Sequence, residues 1–336
     1  MFMETLIGYD IKRAAELLRN GELVAVPTET VYGLAANALN EEAVLKIYHA
    51  KDRPHFNPLI LHIDSFEKIK KYVSEIPGDC IKLAAAFSPG PITFLLDKKD
   101  SVPDLVTAGS KKVAIRIPDH SLLTELLGQL NFPLAAPSAN PSGYVSPVTA
   151  QHVYEGLKGK IPYILDGGKC NVGVESTIVS FVRQSEDSFG ENDKVMIHRL
   201  GGISKEAIEK VLGKEVEIQL AHSTPGSPGQ LKSHYATLTP LYFGNAEELI
   251  SRFANKTAVV ITLDKQFTNI EPAFQFQLSV SGDLDEAARN LFSTLRKADE
   301  LNADLIIAEA MPDKELGSVI NDRLQRAQHI NKEDQS

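Results

Sequence analysis

Apolar residues return at three- and four-residue intervals in "IKRAAELLRN", residues 11–20, and the pattern stops at Gly21, which predicts an amphipathic helix ended by a glycine. "LVAVPT" follows as a short buried strand. "NEEAVLKIYHAK", residues 40–51, places Asn40 where an N-cap belongs and two acids in the first turn, where the helix dipole favours them. Further strands are predicted in "PLILHI", "ITFLLDK", "VAIRIP", "PLAAPS", "YILDGG", "STIVSF" and "VMIHRL", and helices in 121–130, 149–157 and 204–213, with one or two more within 65–87. Some strands follow one another directly while others are separated by helices. That irregular alternation predicts a mixed, twisted α/β sheet rather than a strictly doubly wound one.

Beyond residue 240 the order becomes regular. "AEELISRFA", "TAVVITL", "LDEAARNLFSTLRKADEL", "ADLIIAEA" and "VINDRLQRA" read as helix, strand, helix, strand, helix, the pattern of a small Rossmann-like α/β domain. No GxGxxG follows a strand there, so no dinucleotide is assigned to it. Between the two regions, "TPGSPGQLKSHYATLTP" is rich in Pro, Gly and Ser and carries Lys232, His234 and Tyr235, an unusual cargo for a passive tether. The expected division is a domain over 1–213, a linker or lid over 214–237 and a second domain over 238–336. A chain of 336 residues suits two such domains.

Composition narrows the classes of function. The net charge is −9, divided as −6 beyond residue 237 and −3 before it, which argues against bulk nucleic-acid binding while leaving room for a local basic concavity in the first domain. Two cysteines, Cys80 and Cys170, supply neither a disulfide framework nor a metal-binding spacing. No run approaches the roughly 18 apolar residues of a membrane helix, and the first residues lack a signal-peptide pattern. A cytoplasmic protein without membrane association is expected.

Candidate chemistry gathers in four stretches: "PTETVYGL" (27–34), "AKDRPHFNPLILH" (50–62), "APSANPSGYVSP" (136–147) and "LDGGKCNVGVESTI" (165–178). Each borders a predicted strand, and four loops at one end of one sheet would make a shared pocket. Lys51, Arg53 and Arg116 donate only, and the planar fork of Arg suits phosphate or carboxylate. Thr28, Thr30, Ser138, Ser146 and Ser176 offer hydroxyls, and Asn57 and Asn140 offer both donors and acceptors. The set fits a polyanion beside a small polar molecule. A serine nucleophile lacks its GxSxG elbow, a P-loop is absent, and His49, His55 and His62 read as loop and strand-end residues rather than metal ligands.

In combination, "PTETVYGL", "AKDRPHFNPLILH", "PSANPSG…SP" and "GVESTI" resemble the YrdC-like domain of threonylcarbamoyl-AMP synthases, and "SPGQLKSHYA" with the α/β tail resembles the long, two-domain form of that family. The resemblance spans nearly the whole chain. It implies formation of threonylcarbamoyl-adenylate and diphosphate from L-threonine, bicarbonate or CO2, and ATP, with Mg2+ held mainly by the ATP phosphates and no protein metal site. It also implies a downstream threonylcarbamoyl transferase, transient tRNA contact, and a threonine pocket formed by Thr30, His62, Arg116, Ala136 and Ser176. Arg53, Asn57, Lys112, Ser138, Ser146 and Arg199 are implied as ATP contacts. Lys232 is expected in place of an aromatic nucleotide contact. Lys51, Arg53 and Asn140 are the implied catalytic cluster. Two rival readings are a double-stranded RNA-binding module, for which a shallow basic surface would speak, and an enzyme using carbamoyl phosphate, whose cysteine-rich zinc fingers two cysteines cannot supply.

Overall fold

The computed structural model describes residues 3–183, 193–220 and 235–329. Its chain forms two compact units: residues 1–142 with 147–231, and residues 143–146 with 232–336. Lys232 and His234, with most of the linker, lie outside the described residues.

In the first unit the strands are β1 (Leu6–Gly8), β2 (Val24–Val26), β3 (Gly33–Asn37), β4 (Ile60–His62), β5 (Ile92–Asp97), β6 (Lys112–Arg116), β7 (Leu134–Ala135), β8 (Tyr163–Leu165), β9 (Thr177–Val182), β10 (Lys194–Arg199) and β11 (Glu217–Ile218). They join in the order β1-β8-β2-β3-β7-β4-β6-β5-β9-β10-β11. Parallel pairs such as β4 with β6 and β5 with β9 alternate with antiparallel ones such as β5 with β6, so the sheet is mixed, as the irregular pattern of elements predicts. The helices are α1 (Ile11–Arg19), α2 (Glu41–Lys51), α3 (Gly78–Phe87), α4 (Asp104–Thr107), α5 (Ser121–Gly128), α6 (Ala150–Leu157) and α7 (Lys205–Leu212). Asn40 caps α2 by accepting from the Ala43 amide, and Gly21 takes φ +73° one residue past the C-cap of α1. The stretch 65–87 resolves into a 3-10 turn, Phe66–Lys71, and α3. Strand β11, paired with β10, lies within the stretch read as linker.

One face of the sheet carries an apolar cluster in which Ala14, Ala15 and Leu18 of α1 and Leu123, Leu126 and Leu127 of α5 cover Val24, Val26, Ala35, Leu134 and Leu165. On the same face, farther across the sheet, Ile60, Leu95, Ala114 and Ile178 form a second, small cluster from four adjacent strands.

The second unit holds β12 (Leu241–Gly244), β13 (Ala258–Thr262), β14 (Gln275–Gln277) and β15 (Leu305–Glu309), all parallel in the order β12-β15-β13-β14, with α8 (Ala246–Arg252), α9 (Leu284–Asp299) and α10 (Glu315–Ala327). Parallel strands need helical crossovers, which gives the unit its Rossmann-like order. Residues 143–146 belong to it: Arg296 donates to the Val145 carbonyl at 2.6 Å, and the Tyr144 hydroxyl to Asp299 at 3.0 Å. Tyr235 is buried there at φ +68°, stacked on Phe292 and lying under the guanidinium of Arg323.

Candidate active site

Side chains two residues apart on a strand share a face. Moving two residues along each strand from the apolar row Ile60, Ala114, Leu95 and Ile178 leads, at one end, to His62, Arg116, Thr93 and Ser176, and the registers set these side by side. The alternation therefore converts an apolar floor into a polar row at a single step.

Contacts within the row are direct. The Arg116 guanidinium donates from Nη1 to Thr30 Oγ1 at 2.9 Å and from Nε to the Gly90 carbonyl at 3.3 Å, while Nη2 lies 2.7 Å from Glu29 Oε1. Thr30 is held by a turn in which Thr28 Oγ1 accepts from the amides of Thr30 and Val31. Ser176 Oγ bonds Thr93 Oγ1 at 2.7 Å and accepts from Arg199 Nη2 at 2.9 Å. His62 is buried with Nδ1 facing the Ile60 carbonyl, and burial together with the Arg116 charge lowers its pKa to about 3, so the ring is neutral near neutrality.

A second polar group lies at the other end of β4 and β6. Helix α2 ends with Asp52 in the left-handed conformation, and that reversal turns the following loop back, so that Arg53 donates from Nε to the Asn57 carbonyl and from Nη2 to the Pro58 carbonyl. Lys51, 1% exposed on the last turn of α2, donates to the carbonyls of Ser138 and Asn140, and its pKa falls well below the ordinary lysine value through burial and the nearby Arg53. Asn57 is fully buried with no hydrogen-bond partner at either end of its amide. Ala136 joins the group through its amide, which donates to the Ile60 carbonyl, and Ser138 bridges Gly33.

The four loops are linked to one another: the 27–34 loop meets the 136–140 loop through the Tyr32 carbonyl and the Leu34 amide and the 165–178 loop through the Glu29 carbonyl, and Lys51 ties the 50–62 stretch to Ser138 and Asn140. Because β7 runs antiparallel to β4, the 136–140 loop arrives beside the start of β4, whereas His62 and Arg116 close β4 and β6. Lys112 opens β6, four residues and roughly 13 Å from Arg116, half-exposed and 3.6 Å from Asp97. Arg199 sits on Ser176. Ser146 belongs to the second unit. His49 and His55 form an aromatic group with Tyr48, apart from His62 on β4. Sequence reasoning gave no role to Glu29 or Thr93; the acid between two threonines in "PTET" was the available signal for the first, and strand parity with Leu95 for the second.

Comparison with known proteins decides the family. A model described as "Telomere recombination", covering the Sua5, YciO and YrdC group, matches residues 16–189, and one described as "Threonylcarbamoyl-AMP synthase, C-terminal domain" matches residues 203–328. The chain is 40% identical to the threonylcarbamoyl-AMP synthase of Pyrococcus abyssi over 96% of its own length and 95% of that protein. The chain belongs to the threonylcarbamoyl-AMP synthase family. The Bacillus subtilis relative of the same name is also 40% identical, over 94% of this chain and 92% of its own, and the Schizosaccharomyces pombe one is 36% identical over 95% and 88%. Among solved structures, that of P. abyssi Sua5 complexed with L-threonine superposes with a TM-score of 0.85 at 38% identity, covering 97% of each chain.

Proposed function

We propose that this member of the family joins L-threonine, bicarbonate or CO2, and ATP into threonylcarbamoyl-AMP, with release of diphosphate, in the cytoplasm, for transfer to tRNA by a separate threonylcarbamoyl transferase. The observation that carries the reading is the buried row His62, Arg116, Ser176 with Thr30 held against Arg116. A guanidinium fork suits a carboxylate, and buried hydroxyls beside a neutral imidazole suit a hydroxyl or amine.

In this reading threonine occupies the Arg116 end and the triphosphate the Arg53 end, with the apolar floor between them. The amine and CO2 form a carbamate. One carbamate oxygen then bonds the α-phosphorus as the bond to the β-phosphate oxygen breaks, and diphosphate departs. No protein nucleophile takes part, so the chain's share is orientation and charge stabilisation. Arg53 faces the phosphates, and the unpartnered amide of Asn57 hydrogen-bonds the nucleotide, which offsets the cost of burying it bare, about 1–3 kcal/mol. Lys51 acts through the loop it holds, fixing Ser138 and Asn140 by their carbonyls. Ala136, Lys112, Ser146, Arg199 and Lys232 complete the proposed contacts. Mg2+, held mainly by the ATP phosphates, would enter as the companion of ATP and supply neutralisation of phosphate charge.

An RNA-binding role needs cations at the surface. Lys51, Arg53, Arg116 and Arg199 are all buried, which disfavours it, although transient tRNA contact elsewhere is compatible with the enzyme. The deciding assay follows AMP formation from ATP with each amino acid in turn, with and without bicarbonate. Threonine and bicarbonate should be required together, because a pocket built to bond a hydroxyl rejects an analogue that lacks it. Equal turnover of valine would sink the assignment.

A further inference from the structure

Glu29 is 6% exposed, and neither of its carboxylate oxygens has a hydrogen-bond donor; its ionic contact, at 2.7 Å, is Arg116 Nη2. The backbone pins it there, since its carbonyl accepts from the Val172 amide at 2.7 Å and the Thr28 turn fixes the residue that follows. Such a pair is costly to bury, because two desolvated charges repay their loss of water only with good geometry and further hydrogen bonds, and the carboxylate here has none. Packing alone would be served better by an apolar side chain. The charge itself is what an apolar residue could not supply.

At the Arg116 end of the row the formal charges cancel, Arg116 against Glu29. His62 remains neutral, and burial pushes the Cys170 thiol up to about 12, so neither disturbs the balance. We propose that Glu29 is a specificity-determining residue: by cancelling the charge of Arg116 it fits the pocket to an amino-acid zwitterion and turns away acids that lack the amine. The inference rests on the threonine assignment above.

The test measures binding to the full chain by calorimetry at neutral pH, with L-threonine, its deaminated analogue 3-hydroxybutyrate and its decarboxylated analogue 1-amino-2-propanol. Glu29→Gln should reduce the preference for threonine over 3-hydroxybutyrate by about tenfold or more, because the uncompensated Arg116 then attracts the anion. Proportional weakening of both ligands, with the ratio unmoved, overturns the proposal. Arg116→Gln gives a second reading that does not depend on the first variant folding. It leaves Glu29 unpaired, so 1-amino-2-propanol should bind about tenfold more tightly than to the wild type. Absence of that gain also overturns the proposal. Failure of the wild type to bind threonine at all would instead remove the functional assignment on which both arms stand.

Discussion

His62 links the chemistry of the row to the stability of the fold. Its pKa is about 3 in the native protein, against an ordinary value of 6.5 in an unfolded chain. Between those values the unfolded state binds a proton that the native state refuses, so the contribution of His62 to stability falls as pH drops through that window and is flat outside it. The effect approaches about 1.4 kcal/mol per pH unit for one fully refused proton. His62→Gln cannot titrate, and its urea midpoint should fall less steeply than that of the wild type from pH 6.5 toward 4. Parallel profiles would show that His62 is protonated in the native state. The same residue shows how much of the site was legible beforehand. Its place on a strand, and those of Arg116 and Ser176 at strand ends, followed from alternation in "LILH", "VAIRI" and "STIVSF". Glu29 did not, because its partner Arg116 is 87 residues away and nothing local marks the contact.

At the scale of elements, the helices were the readable part, since caps and periodicity are local: Asn40 at α2 and Gly21 at α1 do what their positions suggest. Strands built from small residues were missed. "GLAAN" became β3 without a β-branched side chain, because its place is decided by pairing with β2 and β7, and β12 and β14 were too short to show a period. The turn after β10 is a third case. A Cβ on Gly201 would stand 2.4 Å from the Glu175 carbonyl oxygen and from backbone atoms of Ser176 and Thr177, none of which can swing aside. This close approach brings Arg199 onto Ser176. Gly201→Ala should therefore cost about 1–3 kcal/mol of stability, as overpacking does, and weaken threonine binding at temperatures where the protein remains folded. Wild-type melting and affinity together would show that the two strands separate freely.

For the whole molecule, the division into two units is the informative feature. The second unit takes in residues 143–146, gripped by Arg296 and Asp299 of α9, and these four residues follow closely on Asn140. Ending the chain after residue 222 removes α9 and should abolish most AMP formation while the first unit still folds. A truncated chain with full activity would reduce the remainder to an appendage. The first strand of the first unit has its own consequence. Strand β1 closes the edge of the sheet on β8, and Thr5 donates to the Ile161 carbonyl 156 residues away. A ribosome adding 5–20 residues per second takes roughly 8–30 s to cover that distance. Through that interval the nascent β1 has no partner strand, and the exposed edge of the unfinished sheet is where a chaperone would find this protein during its synthesis.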